Sequence, residues 1–583
     1  MSAYEQEIPL GHCDVHSMHY NDRDCGVTSQ KCRHWNKGCC GTCCCRTHCK
    51  YRVRWVRSKA ALLILVWQAL LFGYLGTTHS FLTYFTLNTA HLSGYTWLLI
   101  SLTEGVSMVL LYPLAGWLAD VYFGRYKVIC YSMWLLWTAI CSATLSLLLL
   151  YCFHQSIVLH AALYYAAVPL TVVCMHVGMA GMKANLIVFG MDQLQDSSTD
   201  EISAFIAWFV WAEAFGLGIV TYFCGWSGFD RELSVMVQMI FQACCVTVVI
   251  ALNFLLKGWL VIDPETPNPL RTVVQVLKYA GKNKGPHLRS AFTYCEKDIP
   301  SRVDFAKKKF GGPFFSEQVE DVKTFVRILI LFTTFFGYYV GGEDVFSIAA
   351  HLNSWVSNSN VHGYCAGKLI NLSAGNLFVP AMFAFVPVYE FLIYPLFHKH
   401  IPSMLKRAGV GIALMFGSVV SQLVLDGVGH RYTQHAVPCL LLPNATYSEI
   451  TLDLDYRWFA IPSALGGLSL VVFYTSIYQF ICAQTPHSMK GLMIGILYLL
   501  RGVFNIIRTV LILTFQYGFI NSAFIFPSCG VWYYLLSALI VAAGFAVFCG
   551  VAKRYRKRER GELVYERIYV EAYYEQSPLI AGD

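Results

Sequence analysis

Twelve apolar runs, each about 20 residues long, are enough as helices to span roughly 30 Å of hydrocarbon, and they dominate the chain. They cover 60–86, 95–119, 128–152, 162–189, 203–225, 233–256, 326–350, 374–397, 409–428, 459–483, 491–515 and 530–551. Runs such as "ALLILVWQALLFGYLG" and "SALIVAAGFAVFCG" are apolar all round, whereas strands of a membrane barrel alternate apolar and polar residues. With 56% hydrophobic and only 13% charged residues, the chain has too little charge to cover a soluble domain of 583 residues. An all-α, polytopic membrane protein is predicted. No nucleophile–base arrangement or phosphate-binding loop lies within the apolar region, so an enzyme is not expected, and neither is any cofactor beyond a possible coupling proton.

Basic residues flank the runs asymmetrically: "KYRVRWVRSK" precedes the first, "GRYK" follows the second, "HKHIPSMLKR" the eighth and "KRYRKRER" the twelfth. The positive-inside rule puts these ends in the cytosol, and with them both termini. The sequons at Asn371 and Asn444 then fall on the opposite side, as glycosylation requires. The first 50 residues hold no apolar core of signal-peptide length, so the first helix is expected to direct membrane insertion. The order of segments predicts a cytosolic Cys-rich tail (1–59), a six-helix bundle (60–257), a basic linker (258–325), a second six-helix bundle (326–551) and a cytosolic tail (552–583). Six plus six about a polar linker suits a transporter whose bundles rock around a site at mid-membrane. The charge of the linker reads as a surface facing lipid headgroups, and no nucleic-acid partner is expected. In the head, "CRHWNKGCCGTCCCRTHC" fits S-palmitoylation, or a metal site drawn from His34, Cys40, Cys43, Cys45, His48 and Cys49, or a plain solvated tail.

The segment "AGWLADVYFGRYK" matches the loop signature of the major facilitator superfamily, with Gly124 for a tight turn and Asp120 placed to pair with Arg125 as a latch. Beyond it, "MKANLIVFGMDQL", "FIAWFVW", the linker "RSAFTYCEKDIPSRVDFAKKKFGGPFFSEQVEDVKTF", "PVYEFLIYPLF" and "YQFICAQTPHSMKGLMIG" together resemble the proton-coupled oligopeptide transporter family, from about Leu62 to Lys553. The resemblance implies a major facilitator fold of twelve helices in two bundles. It also implies that Lys183 faces the central cavity and takes part in substrate binding and coupling, with Tyr74 in the aromatic-Tyr step of the first helix and Gln479 also among the substrate-binding positions.

Two departures from that pattern bear on mechanism. Leu65, Gln68 and Ala69 stand where the family's first helix carries Glu-x-x-Glu-Arg, and Gln479 stands where a carboxylate receives a peptide's amino group. Between Ala60 and Leu87 there is no Asp, Glu, Lys or Arg. Lys183 therefore needs another counter-charge or must snorkel to the headgroups, and Glu104, Glu213, Glu343, Asp344 and Glu390 all lie inside apolar runs. Glu343 and Asp344, near the family's outer gate, are the expected coupling and gating pair, with Glu390 beside them as a further gating candidate. Arg501 and Arg508 are read either as ligands for a substrate carboxylate or as structural partners of Glu390 or Glu104.

The expected function is secondary active transport of a small-molecule substrate by alternating access, with altered proton coupling. Candidate substrates are a di- or tripeptide, an amino acid such as histidine, or an organic anion. A transport-dead sensor or scaffold and an uncoupled facilitator are the rival readings. In the tail, "YERI" at Tyr565 and "EQSPLI" with Glu575, Leu579 and Ile580 resemble sorting signals read by adaptors, which would direct the protein to endosomes or lysosomes, with the plasma membrane as the alternative. Cys365 and Cys439 are expected to form a disulfide on the oxidising side, with Cys529 as competitor.

Overall fold

A computed structural model describes residues 54–89, 96–153, 157–195, 197–226, 231–262, 269–282, 301–342, 377–397, 400–429, 434–442, 445–452, 456–520 and 528–555. Each predicted run carries helix. The first half contains α1 (Lys59–Thr89), α2 (Thr96–Leu118), α3 (Arg125–Cys152), α4 (Ile157–Asp192), α5 (Thr199–Trp226) and α6 (Arg231–Leu255). The linker holds α7 (Pro269–Lys282), which buries Pro269, Val273, Val276 and Ala280 along one face at helical spacing. The second half contains α8 (Ser316–Thr333), α9 (Phe336–Gly341), α10 (Phe378–Val388), α11 (Tyr394–Phe397), α12 (Met404–Gly429), α13 (Ala460–Gln484), α14 (Lys490–Ile520) and α15 (Ser528–Arg554). Ten stretches among the described residues are long and apolar enough to cross a membrane.

The distribution of side chains is that of a protein dissolved in lipid. Leu110, Val173, Phe254 and Leu539 are exposed, while Gln68, Asn185, Gln242 and Thr509 are buried, so apolar groups coat the outside and polar groups find partners within. Helix α8 begins at Ser316, ahead of the apolar run at 326, because its first turns are amphipathic and Gln318 accepts the N–H of Phe315 at its start. One element departs from the all-helical expectation. Strands β1 (Gln434–Leu442) and β2 (Ala445–Leu452) pair antiparallel, with Val437 opposite Glu449, between α12 and α13.

Within the first half, α1 packs on α5 and α6, and α3 on α4 and α6; within the second, α12 packs on α13 and α15, and α9 on α15. The two halves meet most extensively where α2 crosses α14. Glycines make that crossing close. A Cβ on Gly116 would strike the backbone of Gly491, and one on Gly502 would lie 2.7 Å from the Gly105 carbonyl oxygen.

Candidate substrate site and cytosolic gate

Lys183 is carried by "GMAGMKAN" in α4, whose Gly178 and Gly181 fit against Leu136 and Ser132 of α3 and fix that helix in place. Its Nζ lies 3.0 Å from Glu213 Oε1 of α5, with the two side chains 11% and 24% exposed. The ammonium also sits 3.5 Å from the centroid of the Phe72 ring of α1, a cation–π contact in partly dry surroundings. Gln68 Nε2 donates to the other oxygen of Glu213 at 3.5 Å. Of the candidate acids, Glu213 is the one paired with Lys183; Glu343 and Asp344 lie outside the described residues. The physical reason is reach: with no acid in the described part of α1, the carboxylate comes from α5, the helix packed beside it.

The second half closes over this pair with tyrosines. Tyr478 of α13 and Tyr498 of α14 share a hydroxyl–hydroxyl bond of 2.8 Å, and the Tyr498 ring packs 4.9 Å from that of Tyr112 in α2. Lys183 Nζ from one half and Arg501 Cζ from the other each lie 5.9 Å from the Tyr498 centroid, and Arg501 is 5.7 Å from that of Tyr474. A cation from each half therefore meets at the seam around Tyr498, with the Glu213 carboxylate paired to Lys183. Arg508 is used differently: it is buried and donates to the Tyr339 carbonyl and the Asn505 amide, while Asn505 reaches the Ser101 carbonyl of α2 at 3.3 Å. Glu390, one of the acids open to Arg501 or Arg508 in the sequence, is held by Arg54. Tyr74 lies in α1, but its side chain is outside the described ones. A cavity of about 380 Å³ between α1 and α5, walled by Trp55, Leu62, Leu65, Trp208, Trp211 and Phe215, is apolar and does not include Lys183 or Arg501.

Gln479 is buried near the end of α13, its Oε1 accepting from Arg407 Nη2 at 2.7 Å and its Nε2 donating to the Ser203 carbonyl of α5 at 3.2 Å. Both ends of the amide are occupied in a bridge between the halves. The same end of the molecule carries the signature loop. Gly124 turns with φ of 78°, Arg125 Nε donates to Asp120 Oδ1 at 2.9 Å, and Arg125 Nη1 reaches Asp192 Oδ2 at 2.6 Å. Asp120 Oδ2 in turn accepts the Leu492 N–H at 2.9 Å in the first turn of α14, where a helix N-terminus favours an anion. Glu390, on the π-helical turn Tyr389–Ile393 between α10 and α11, is fully buried and takes a two-pronged ion pair from Arg54 at 2.9 and 3.0 Å. Tyr394 donates to Asp200 of α5 at 3.0 Å, and Trp211 to the Phe383 carbonyl at 3.0 Å. Apart from the Trp211–Phe383 bond, which lies deeper along α5, these bonds tie the first half to the second or brace a residue that does, on the side that the basic flanks assign to the cytosol.

Arg54 and Arg407 escaped the sequence reading because they belong to basic flanks, where charge counts toward topology and not toward partners. Tyr498 and Tyr478 gave no signal beyond apolar periodicity. Glu213 did give one, as an acid inside an apolar run. Asn371, Glu575, Tyr565, Leu579, Ile580 and the Cys-rich head lie outside the described residues, as does Asn444; the side chains of Cys439 and Cys529 are likewise not described.

Two helical halves meeting on a charged seam fit a membrane transporter of small solutes. The POT family model (PTR2) matches residues 135–526, more than half of the chain, and the chain belongs to that family. It is 25% identical over 557 residues to solute carrier family 15 member 3 of Mus musculus, covering 86% of this chain and 92% of that one. Its fold is similar to that of an auto-inhibited POT family peptide transporter, with a TM-score of 0.59, 16% identity and coverage of 86% and 98%. A POT family transporter in complex with 5-aminolevulinic acid gives a TM-score of 0.55 at 12% identity, covering 85% of this chain and 97% of that one.

Proposed function

We propose that the protein carries a small carboxylate-bearing solute by alternating access, with the Lys183–Glu213 pair as the exchangeable element of the site. The observation that carries this reading is the meeting of two cations, Lys183 from the first half and Arg501 from the second, around Tyr498, with Glu213 paired to Lys183. A substrate carboxylate displaces Glu213 from Lys183. Glu213 then becomes an uncompensated, part-buried anion, a state relieved by a proton. Proton and substrate are thereby coupled through one carboxyl on α5, in place of the first-helix acids the family normally carries. Arg501 offers a fork that suits the same carboxylate or a second one.

The class of solute follows from the charge: an amino acid, a short peptide held by its C-terminus, or an organic acid. That solved POT family transporters hold 5-aminolevulinic acid and a thioalcohol-conjugated peptide is consistent with such a range. The test is uptake of radiolabelled dipeptide, histidine, 5-aminolevulinate and nitrate into proteoliposomes holding the purified protein. Saturable uptake of at least one carboxylate-bearing probe, lost in Lys183→Ala, is expected. Uptake of none would favour a sensor or scaffold, and nitrate alone would remove the carboxylate requirement.

A further inference from the structure

The five residues ahead of α1 form a strap across the seam. Arg54 holds Glu390 through Nε and Nη2 at 3.0 and 2.9 Å, and its guanidinium lies 3.4 Å from the Tyr394 centroid. Trp55 packs edge-on against Trp208 of α5 at 5.5 Å and stacks on Phe391 at 6.2 Å. The N–H groups of Arg57 and Ser58 both donate to Glu201 Oε1 of α5, at 2.7 and 3.2 Å. The strap is therefore covalently part of the first half, bonded to α5, and clamped on the second half by an ion pair to the buried Glu390 carboxylate and by aromatic contacts to Phe391 and Tyr394.

Opening the cytosolic mouth requires α5 to part from the α10–α11 region, which are held together here by Trp211–Phe383 and Asp200–Tyr394. A two-pronged ion pair with one partner at 0% exposure cannot stretch with that motion: it is either formed or broken, and breaking it bares a charge that must be hydrated. We propose that the Arg54–Glu390 pair is the inner-gate latch of the transport cycle, formed while the cytosolic mouth is shut and broken each time it opens. Segment 54–58 thereby sets the balance between the two states, and Arg54 acts as a gating residue although it lies outside every helix. The inference does not depend on which solute is carried.

Cys482 gives a native reporter. It is buried in α13, one turn from Gln479, whose amide crosses the seam to the Ser203 carbonyl of α5, so opening of the mouth is expected to bare it. Cys245, buried in α6, is the internal reference. The full-length protein in detergent, with no solute, is treated with a polar maleimide, and modification at each cysteine is read by peptide mapping. Arg54→Ala is expected to label at Cys482 about tenfold faster than the unaltered chain, a shift of ~1.4 kcal/mol in the closed-to-open balance, with Cys245 unchanged. Arg54→Lys, which keeps the charge but loses the fork, should fall between, and the reversed pair Arg54→Glu with Glu390→Arg should return toward the original rate. An unchanged rate at Cys482 in both single variants, a rise shared equally by Cys245, or a reversed pair that labels as fast as Arg54→Ala would each overturn the proposal.

Discussion

At Lys183 the question is why an ammonium remains inside an apolar helix. Facing lipid it would cost several kcal/mol, whereas beside a carboxylate and over an aromatic ring most of that cost is offset. Glu213 and Phe72 supply both. Snorkelling to the headgroups is not the arrangement seen, because the side chain is 11% exposed and paired. The position of the lysine was legible in the sequence, since an isolated charge in a long apolar run announces itself. Its partner was legible only as one of several acids, because choosing among them needs the helix neighbours, and α1·α5 packing is not written in spacing. Substitution separates the roles. Lys183→Ala is expected to abolish saturable uptake, and Lys183→Arg to restore less than about a tenth of it, because a planar fork cannot reproduce a compact point charge against Glu213. Full rescue by Arg in the proteoliposome assay would mean that the charge alone matters.

Among elements, the two π-helical turns stand out by position: Ala119–Phe123 closes the second helix of the first half and carries Asp120, while Tyr389–Ile393 lies within the eighth and carries Glu390. π turns often mark functional sites, and here each aims a buried acid at an arginine and at the opposite half. The apolar runs could not show these turns, since a π turn leaves the hydrophobic pattern unbroken; nor could they show the β1–β2 hairpin, which lies between runs. The linker shows a different device. Asp304 accepts from Lys323, from Lys307 at 2.9 Å and from Ser301 at 2.7 Å, pinning the short turn 304–306 to the start of α8. Burial alone pushes the Asp304 carboxyl up, but the hydrogen bonds from Lys323, Lys307 and Ser301 outweigh it and hold the group well below the usual carboxylate range. Because the folded value is depressed, the stabilisation is complete above the unfolded value of about 4 and is lost as pH falls below it toward the folded value. Asp304→Asn is therefore expected to lower the melting temperature at pH 6, and the gap to the unaltered protein should narrow on acidification toward pH 3. A gap that holds constant across that range would exclude this ionisation as the source.

For the whole molecule, the bonds described on the cytosolic side define a shut inner mouth: Asp120 to Leu492, Gln479 to Ser203 and Arg54 to Glu390 all cross the seam. The multi-pass helical organisation was readable because bilayer thickness imposes it on the sequence; the state of the gate was not, because it is decided by side chains from opposite halves. Targeting belongs to this scale too. The tail signals are expected to route the protein to endosomes or lysosomes, so a tagged chain with Tyr565, Leu579 and Ile580 all changed to Ala should shift to the plasma membrane; an unchanged distribution would assign targeting elsewhere. The central claim is that one carboxyl, Glu213, links proton to solute, and the most direct measurement is uphill uptake by proteoliposomes under an imposed inward proton gradient. The unaltered protein should accumulate a transported carboxylate-bearing probe above its external concentration, while Glu213→Gln should still exchange that probe but fail to accumulate it. Accumulation by Glu213→Gln equal to that of the unaltered protein would contradict the account.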